Sequence, residues 1–170
     1  MELLSRPQFE AWCEGEGLLL DASALRFAAA PGAGFTIVFE RFSFPRVLAL
    51  AESLIPDWNE APFSGGVIRF GHRAPWGRYV ERVGDTALDL VEKGLGRESV
   101  PTSAIRLFGR DEYLAMQVHL LLPMMFGWDA TLVPSGLRYF VELTHDGVAC
   151  ITSATVEESE ILQARLSDWR

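Results

Sequence analysis

Residues 137 to 153 read LRYFVELTHDGVACITS. Two stretches rich in aromatic and β-branched residues, Leu137–Leu143 and Val148–Ser153, flank His145-Asp146-Gly147. Asp-Gly between two such stretches is the strongest short-range hairpin signal, because both central turn residues need positive φ. The spacing therefore predicts an antiparallel pair, with Ala130–Val133 as a further strand just before it. A helix follows. Thr155 and Glu158 have capping-box spacing, and Leu162, Leu166 and Trp169 fall on one face.

Upstream of this meander lies Asp111–Leu122, DEYLAMQVHLLL. Tyr113, Leu114, Met116, Val118, Leu120, Leu121 and Leu122 make it apolar nearly all round. A helix without a polar face predicts a central core helix, with Leu121 inside and Pro123 as its stop. Towards the N-terminus, Ser5 and Gln8 have capping-box spacing and Leu4 and Phe9 staple spacing, so a first helix is expected to about Glu14. Ala28–Gly34 reads as a loop. Phe35, Ile37 and Phe39 then alternate as in a strand. Pro45, near Ser43, opens a helix over Val47–Ile55 that Pro56 stops. Val67–Phe70 and Ala104–Phe108 read as strands, and Asp85 caps a third helix ended by Gly94. Helices and strands do not alternate in register. The order predicts an α+β fold over residues 1–170 as one domain: a mainly antiparallel sheet with helices packed on one face and a buried central helix near 111–122.

The chain has 170 residues, 49% apolar and 22% charged. A chain this long buries roughly 70% of its unfolded surface and needs no staple. Its longest apolar runs, such as Leu120–Phe126, fall far short of a membrane span. The first residues carry Glu2, Glu10, Glu14 and Glu16 and no basic-then-apolar leader, so a cytoplasmic protein is expected. There are 23 acids and 15 bases, a net charge of −8. Lys93 is the one lysine against fourteen arginines, a skew that fits GC-rich bacterial coding. The acidity argues against nonspecific nucleic-acid binding and against anionic membranes. Cys13 and Cys150 are the only cysteines, with no metal-ligand spacing. Cys150, in an apolar run, is expected to be a buried free thiol; a disulfide between the two would be unusual in a reducing cytosol.

Motifs for chemistry are sparse. Pro31-Gly-Ala-Gly34 lacks the third glycine of a dinucleotide fingerprint, and neither a P-loop nor a nucleophile elbow occurs. No cofactor or metal is expected. His119 reads as a core histidine bonded to a backbone carbonyl, although Glu112, seven residues earlier, could share its face. His145 and Asp146 form the most enzyme-like pair. Adjacent residues of an extended chain point to opposite faces, however, and Asp146 is explained by its turn. Glu157, Glu158 and Glu160 suit the start of a helix.

Two loops look like recognition surface. One contains Asp57 and Trp58. The other runs Gly71-His72-Arg73-Ala74-Pro75-Trp76-Gly77-Arg78. Trp and Arg in loops are common interface anchors, and the arginines from Arg69 to Arg82 could instead hold a phosphate or nucleic acid. Candidate binding residues are therefore Asp57, Trp58, His72, Arg73, Trp76, Arg78, His145 and Asp146, with no catalytic residue assigned. The leading expectation is an acidic cytoplasmic binding protein, an immunity- or inhibitor-type partner of a basic protein or an accessory protein. The alternatives are a small hydrolase or transferase using His72 or His145, with Arg73 or Arg78 holding an anion, and a homodimer of structural role.

Overall fold

The computed structural model describes residues 1–21, 24–29, 33–40, 43–55, 64–73, 78–96 and 105–169, with the backbone alone for 72, 73 and 78–81. In chain order these form β1 (Glu2–Leu4), α1 (Arg6–Gly15), β2 (Leu18–Asp21), β3 (Ala24–Phe27), β4 (Ala33–Val38), α2 (Phe44–Leu54), β5 (Gly65–Arg73), α3 (Arg78–Gly94), β6 (Ile105–Gly109), α4 (Tyr113–Phe126), β7 (Trp128–Pro134), β8 (Tyr139–Thr144), β9 (Val148–Ser153) and α5 (Val156–Arg165). The fold is α+β. Seven strands form one sheet in the order β1-β6-β5-β7-β8-β9-β4, and β2 and β3 form a separate hairpin. Each pairing among the described residues is antiparallel.

The predicted hairpin is the β8–β9 pair, with Val141 opposite Ile151 and Thr144 opposite Val148. Gly147 supplies the positive φ of its turn, at 80°. Because side chains alternate across a strand, the register sorts the sheet into two faces. One carries Ile37, Ile68, Phe70, Phe108, Trp128, Leu132, Val141 and Ile151, and α2, α4 and α5 pack their apolar stripes onto it. Val47, Leu50 and Leu54 of α2 and Met116, Leu120 and Met124 of α4 are almost wholly buried there. The other face carries Val67, Ile105, Val133 and Phe140, covered by Phe9 and Cys13 of α1 and Leu18 and Leu25 of the β2–β3 hairpin. Helices α2 to α5 thus share one face as expected, while α1 and the hairpin shield part of the other. Glu16 at the end of α1 ties this cover to the β7–β8 turn. Its carboxylate accepts from Ser135 Oγ at 2.6 Å and from the Gly136 amide at 3.0 Å.

Capping chemistry set the helix starts where expected. Gln8 Oε1 accepts from the Ser5 amide at 2.8 Å, and Thr155 Oγ1 accepts from the Glu158 amide at 3.2 Å. Four expectations change. Asp85 is inside α3, which begins seven residues earlier at Arg78. Its interior Gly84 reads as a weak point in sequence, but a Cβ there would lie 2.4 Å from Trp128 Cζ2, so glycine is what lets α3 reach that ring. Pro123 does not stop α4. The helix runs one turn past it to Gly127, whose φ of 65° is left-handed and whose amide donates to the Pro123 carbonyl. Strand β1 and the β2–β3 hairpin were not anticipated; three- and four-residue strands carry too little periodicity to register. Finally, α4 is not surrounded. Leu120 is 0% exposed, whereas Leu121 is only partly buried.

Leu120→Asp should therefore unfold the chain, costing on the order of 4 kcal/mol or more by stranding a carboxylate in the core. Leu121→Asp should melt cooperatively and much closer to the parent. Thermal melts of both followed by circular dichroism test the pair, and equal losses would refute this placement of α4.

Candidate functional site

Two titratable clusters emerge. The first is fully out of water. β6 places Arg106 on the helix-covered face, one turn of α3 presents Glu92, and α4 presents His119. All three side chains are 0% exposed. Glu92 Oε1 accepts from Arg106 Nε at 2.9 Å and lies 3.0 Å from His119 Nε2. His119 Nδ1 donates to the Ala115 carbonyl at 2.7 Å. The Arg106 guanidinium also lies over Phe70, 5.0 Å from its centroid, and the His119 ring stands 5.1 Å from Phe108. Glu92 Oε2 accepts no hydrogen bond among the described residues.

Burial alone would raise Glu92, but the hydrogen bond from Arg106 and the contact with His119 outweigh it and hold the carboxyl below the usual range. Burial dominates for His119 and pushes it down, against the pull of the Ala115 carbonyl and of Glu92. Burial also lowers Arg106. The core histidine bonded to a carbonyl is thus as expected, but its carboxylate partner is Glu92. Glu112 instead pairs with the N-terminal ammonium and accepts from the Gly109 amide. The sequence signal for this triad was a lone arginine in the apolar strand IRLF and a glutamate one turn after Leu88.

The second cluster lies at one end of the sheet. Asp129, second residue of β7, uses Oδ1 to accept from the His145 amide at 2.7 Å and from His145 Nδ1 at 2.9 Å. His145 Nε2 is 3.7 Å from Asp146 Oδ1. The His145 and Asp129 side chains are each 32% exposed and Asp146 is 74% exposed. His145 and Asp146 were expected to diverge as in an extended chain. The turn instead curls both towards one side, and the carboxylate that orients the imidazole is Asp129, which sequence reading missed. Its only cue was an acid at the head of the apolar stretch Trp128–Val133. Such a pair can hold an imidazole in one tautomer, the arrangement of a general base.

The backbone of His72 and Arg73 reaches the same end of the sheet, Arg73 pairing with Trp128. Candidates far apart in sequence, on β5 and at the β8–β9 turn, are thus brought to the same end of the sheet with β7 between them. Arg78 opens α3. Asp57, Trp58 and Trp76 lie outside the described residues. Arg69, counted among the basic residues that might hold a phosphate, is turned inward over the Phe9 ring at 5.5 Å and donates to Thr131 Oγ1 at 3.3 Å.

Beyond α1 and the β2–β3 hairpin, no described element covers the second sheet face, which runs from the buried Thr131 to exposed positions on β4. Register places Thr131, Glu142, Cys150 and Thr36 in one row across β7, β8, β9 and β4, with Thr144, Val148 and Val38 in the next. Thr36 is exposed and Val38 is 75% exposed. Burial raises Glu142, partly offset by the Arg69 charge. Cys150 is only partly buried, contrary to expectation, while Cys13 is fully buried; both are free thiols. Burial pushes Cys13 up to about 12, and also raises Cys150. No group of potential metal ligands occurs among the described residues. No family model, curated protein or solved structure matches this chain.

Two outcomes follow from these environments. The depressed His119 and Glu92 of the buried triad predict acid lability. Below about pH 6.5 the unfolded histidine takes up a proton that folded His119 resists, and below about pH 4.5 the same holds for Glu92, so stability falls as pH drops. His119→Gln should flatten the first part of that loss in urea unfolding series; an unchanged slope between about pH 7 and pH 5 would contradict it. Cys13 should stay unmodified by a thiol reagent at pH 8 in the native state, with Cys150 the residue labelled first. Mass mapping of the adduct decides this, and rapid native labelling of Cys13 would contradict its burial.

Proposed function

We propose that the protein acts by binding, as an acidic cytoplasmic partner of immunity or inhibitor type that masks a basic protein. The observation that carries this reading is the open half of the sheet's second face. Its surface is built from Thr36, Val38, Thr144, Val148 and Cys150, and the acids Glu142, Asp129 and Asp146 stand on it or at its end. β-Branched side chains on a fixed sheet, exposed at Thr36 and Val38 and half-buried at Thr144 and Val148, offer contact area at little entropic cost. The acids supply complementary charge, which speeds encounter with a basic partner. Nothing in the described helices is long and apolar enough to cross a membrane.

A second reading has its own support in the Asp129–His145 pair. It is a hydrolase or transferase in which His145 serves as base and Arg73 or Arg78 holds an anionic group.

The test is affinity capture from the native host, then association and dissociation rates at two ionic strengths. The captured partner should be basic, and raising salt should slow association. Val148→Arg should abolish capture, since it puts a like charge and a bulky chain in the middle of the patch. His145→Ala should leave binding within a few-fold. Capture indifferent to Val148→Arg would overturn the proposal. A turnover lost with His145→Ala would establish the second reading instead.

A further inference from the structure

Helix α4 is apolar on every side, yet its outer side is not covered. Leu114, Val118, Leu121 and Met125 follow one another at spacings of four, three and four, so they line a single stripe along the helix. Leu114 is 72% exposed and Val118 and Met125 are each 39% exposed, with Leu121 partly buried between them. On α3, which packs against α4, Val83 is 40% and Leu90 64% exposed, on the side away from the buried Leu88 and Glu92. A cavity of about 570 Å³, lined by Leu95, Arg110, Asp111, Glu112, Tyr113, Leu114 and Ala115, continues this surface at its upper end. Residues 113–126 carry no acidic or basic side chain apart from the buried His119.

We propose that this stripe is the contact between two copies of the chain, with α4 of one protomer laid against α4 of the other about a two-fold axis. The four-three-four spacing is that of a helix seam that accepts knobs from a helix of the same spacing, and a second copy supplies one. Electrostatics select the same occupant. The chain carries a net charge of −8, so two copies repel over most orientations. Here α4 brings no charge, and among the described residues the exposed or half-exposed charges of α3 and of the turn before α4, Arg82, Lys93 and Arg110 against Asp85, Asp89 and Asp111, cancel, with Glu112 paired to the N-terminal ammonium. A basic partner finds no complementary field on this side, whereas two copies can bury it without opposing like charges. The stripe lies on the helix-covered side of the sheet, away from the open patch with its acids, so either surface can fail without the other.

The test is sedimentation equilibrium of the full chain over a range of about 1 to 100 µM. A reversible dimer of the 18.9 kDa chain is expected. Leu114→Glu combined with Val118→Glu should raise the dissociation constant by on the order of a hundredfold, the loss typical of two interface anchors, with an unchanged circular dichroism spectrum. Val156→Glu with Ile161→Glu, on α5 and similarly exposed at 65% and 64%, is the control and should dimerise as the parent does. A parent that stays monomeric throughout, a dimer that survives the α4 substitutions, or one lost equally with the α5 control would overturn the proposal. So would an α4 stripe shown to bind a different protein while the parent stays monomeric.

Discussion

A guanidinium, a carboxylate and an imidazole, all removed from water, join three elements that share no local sequence. Arg106 comes from β6, Glu92 from α3 and His119 from α4. Taking charges into a low dielectric is costly, and the mutual attraction of such groups offsets that cost only when their geometry is good. The triad is therefore a constraint before it is a source of stability. Any other rotation of α3 or α4 would strand a buried charge, so the ion pair fixes which faces of the helices meet the sheet. Aromatic rings pack around it: the Arg106 guanidinium lies over the Phe70 ring, and the His119 ring stands against Phe108.

With α4 fixed in rotation, its two sides acquire different fates. Met116, Leu120 and Met124 enter the core. Leu114, Val118 and Met125 are left towards solvent by the same helical geometry. The apolar character of the outer side has no role in the core, and the proposed contact between two copies would give it one. Close approach of α3 depends on Gly84 against Trp128, so the helix pair and the ring at the head of β7 form one packed unit. Trp128 in turn precedes Asp129, which places the carboxylate that orients His145. The buried face thereby positions the cluster at the sheet's end.

The second face shows how an antiparallel sheet divides its labour. Where α1 and the β2–β3 hairpin cover it, side chains are large and apolar. Where cover ends, the rows turn to threonine, valine, cysteine and a single glutamate. One sheet thus carries a closed core and a less covered surface within a few strands of each other, as antiparallel sheets can.

Much of this molecule was legible from local chemistry. Asp146-Gly147 fixed the β8–β9 hairpin, Ser5 with Gln8 and Thr155 with Glu158 fixed two helix starts, and the apolar run after Asp111 marked α4. Each of these signals acts within about four residues, the range over which caps, turns and periodicity operate. Distance in sequence hid the rest. Glu92 meets His119 across 27 residues and Asp129 meets His145 across 16, and nothing in either local stretch names its partner. Gly84 and Pro123 are helix breakers by propensity, and packing against Trp128 and the Gly127 cap overrode them. Apolar composition told that α4 would be central; only the tertiary structure decided which side of it is buried, because burial belongs to the neighbours a helix acquires and not to the helix itself.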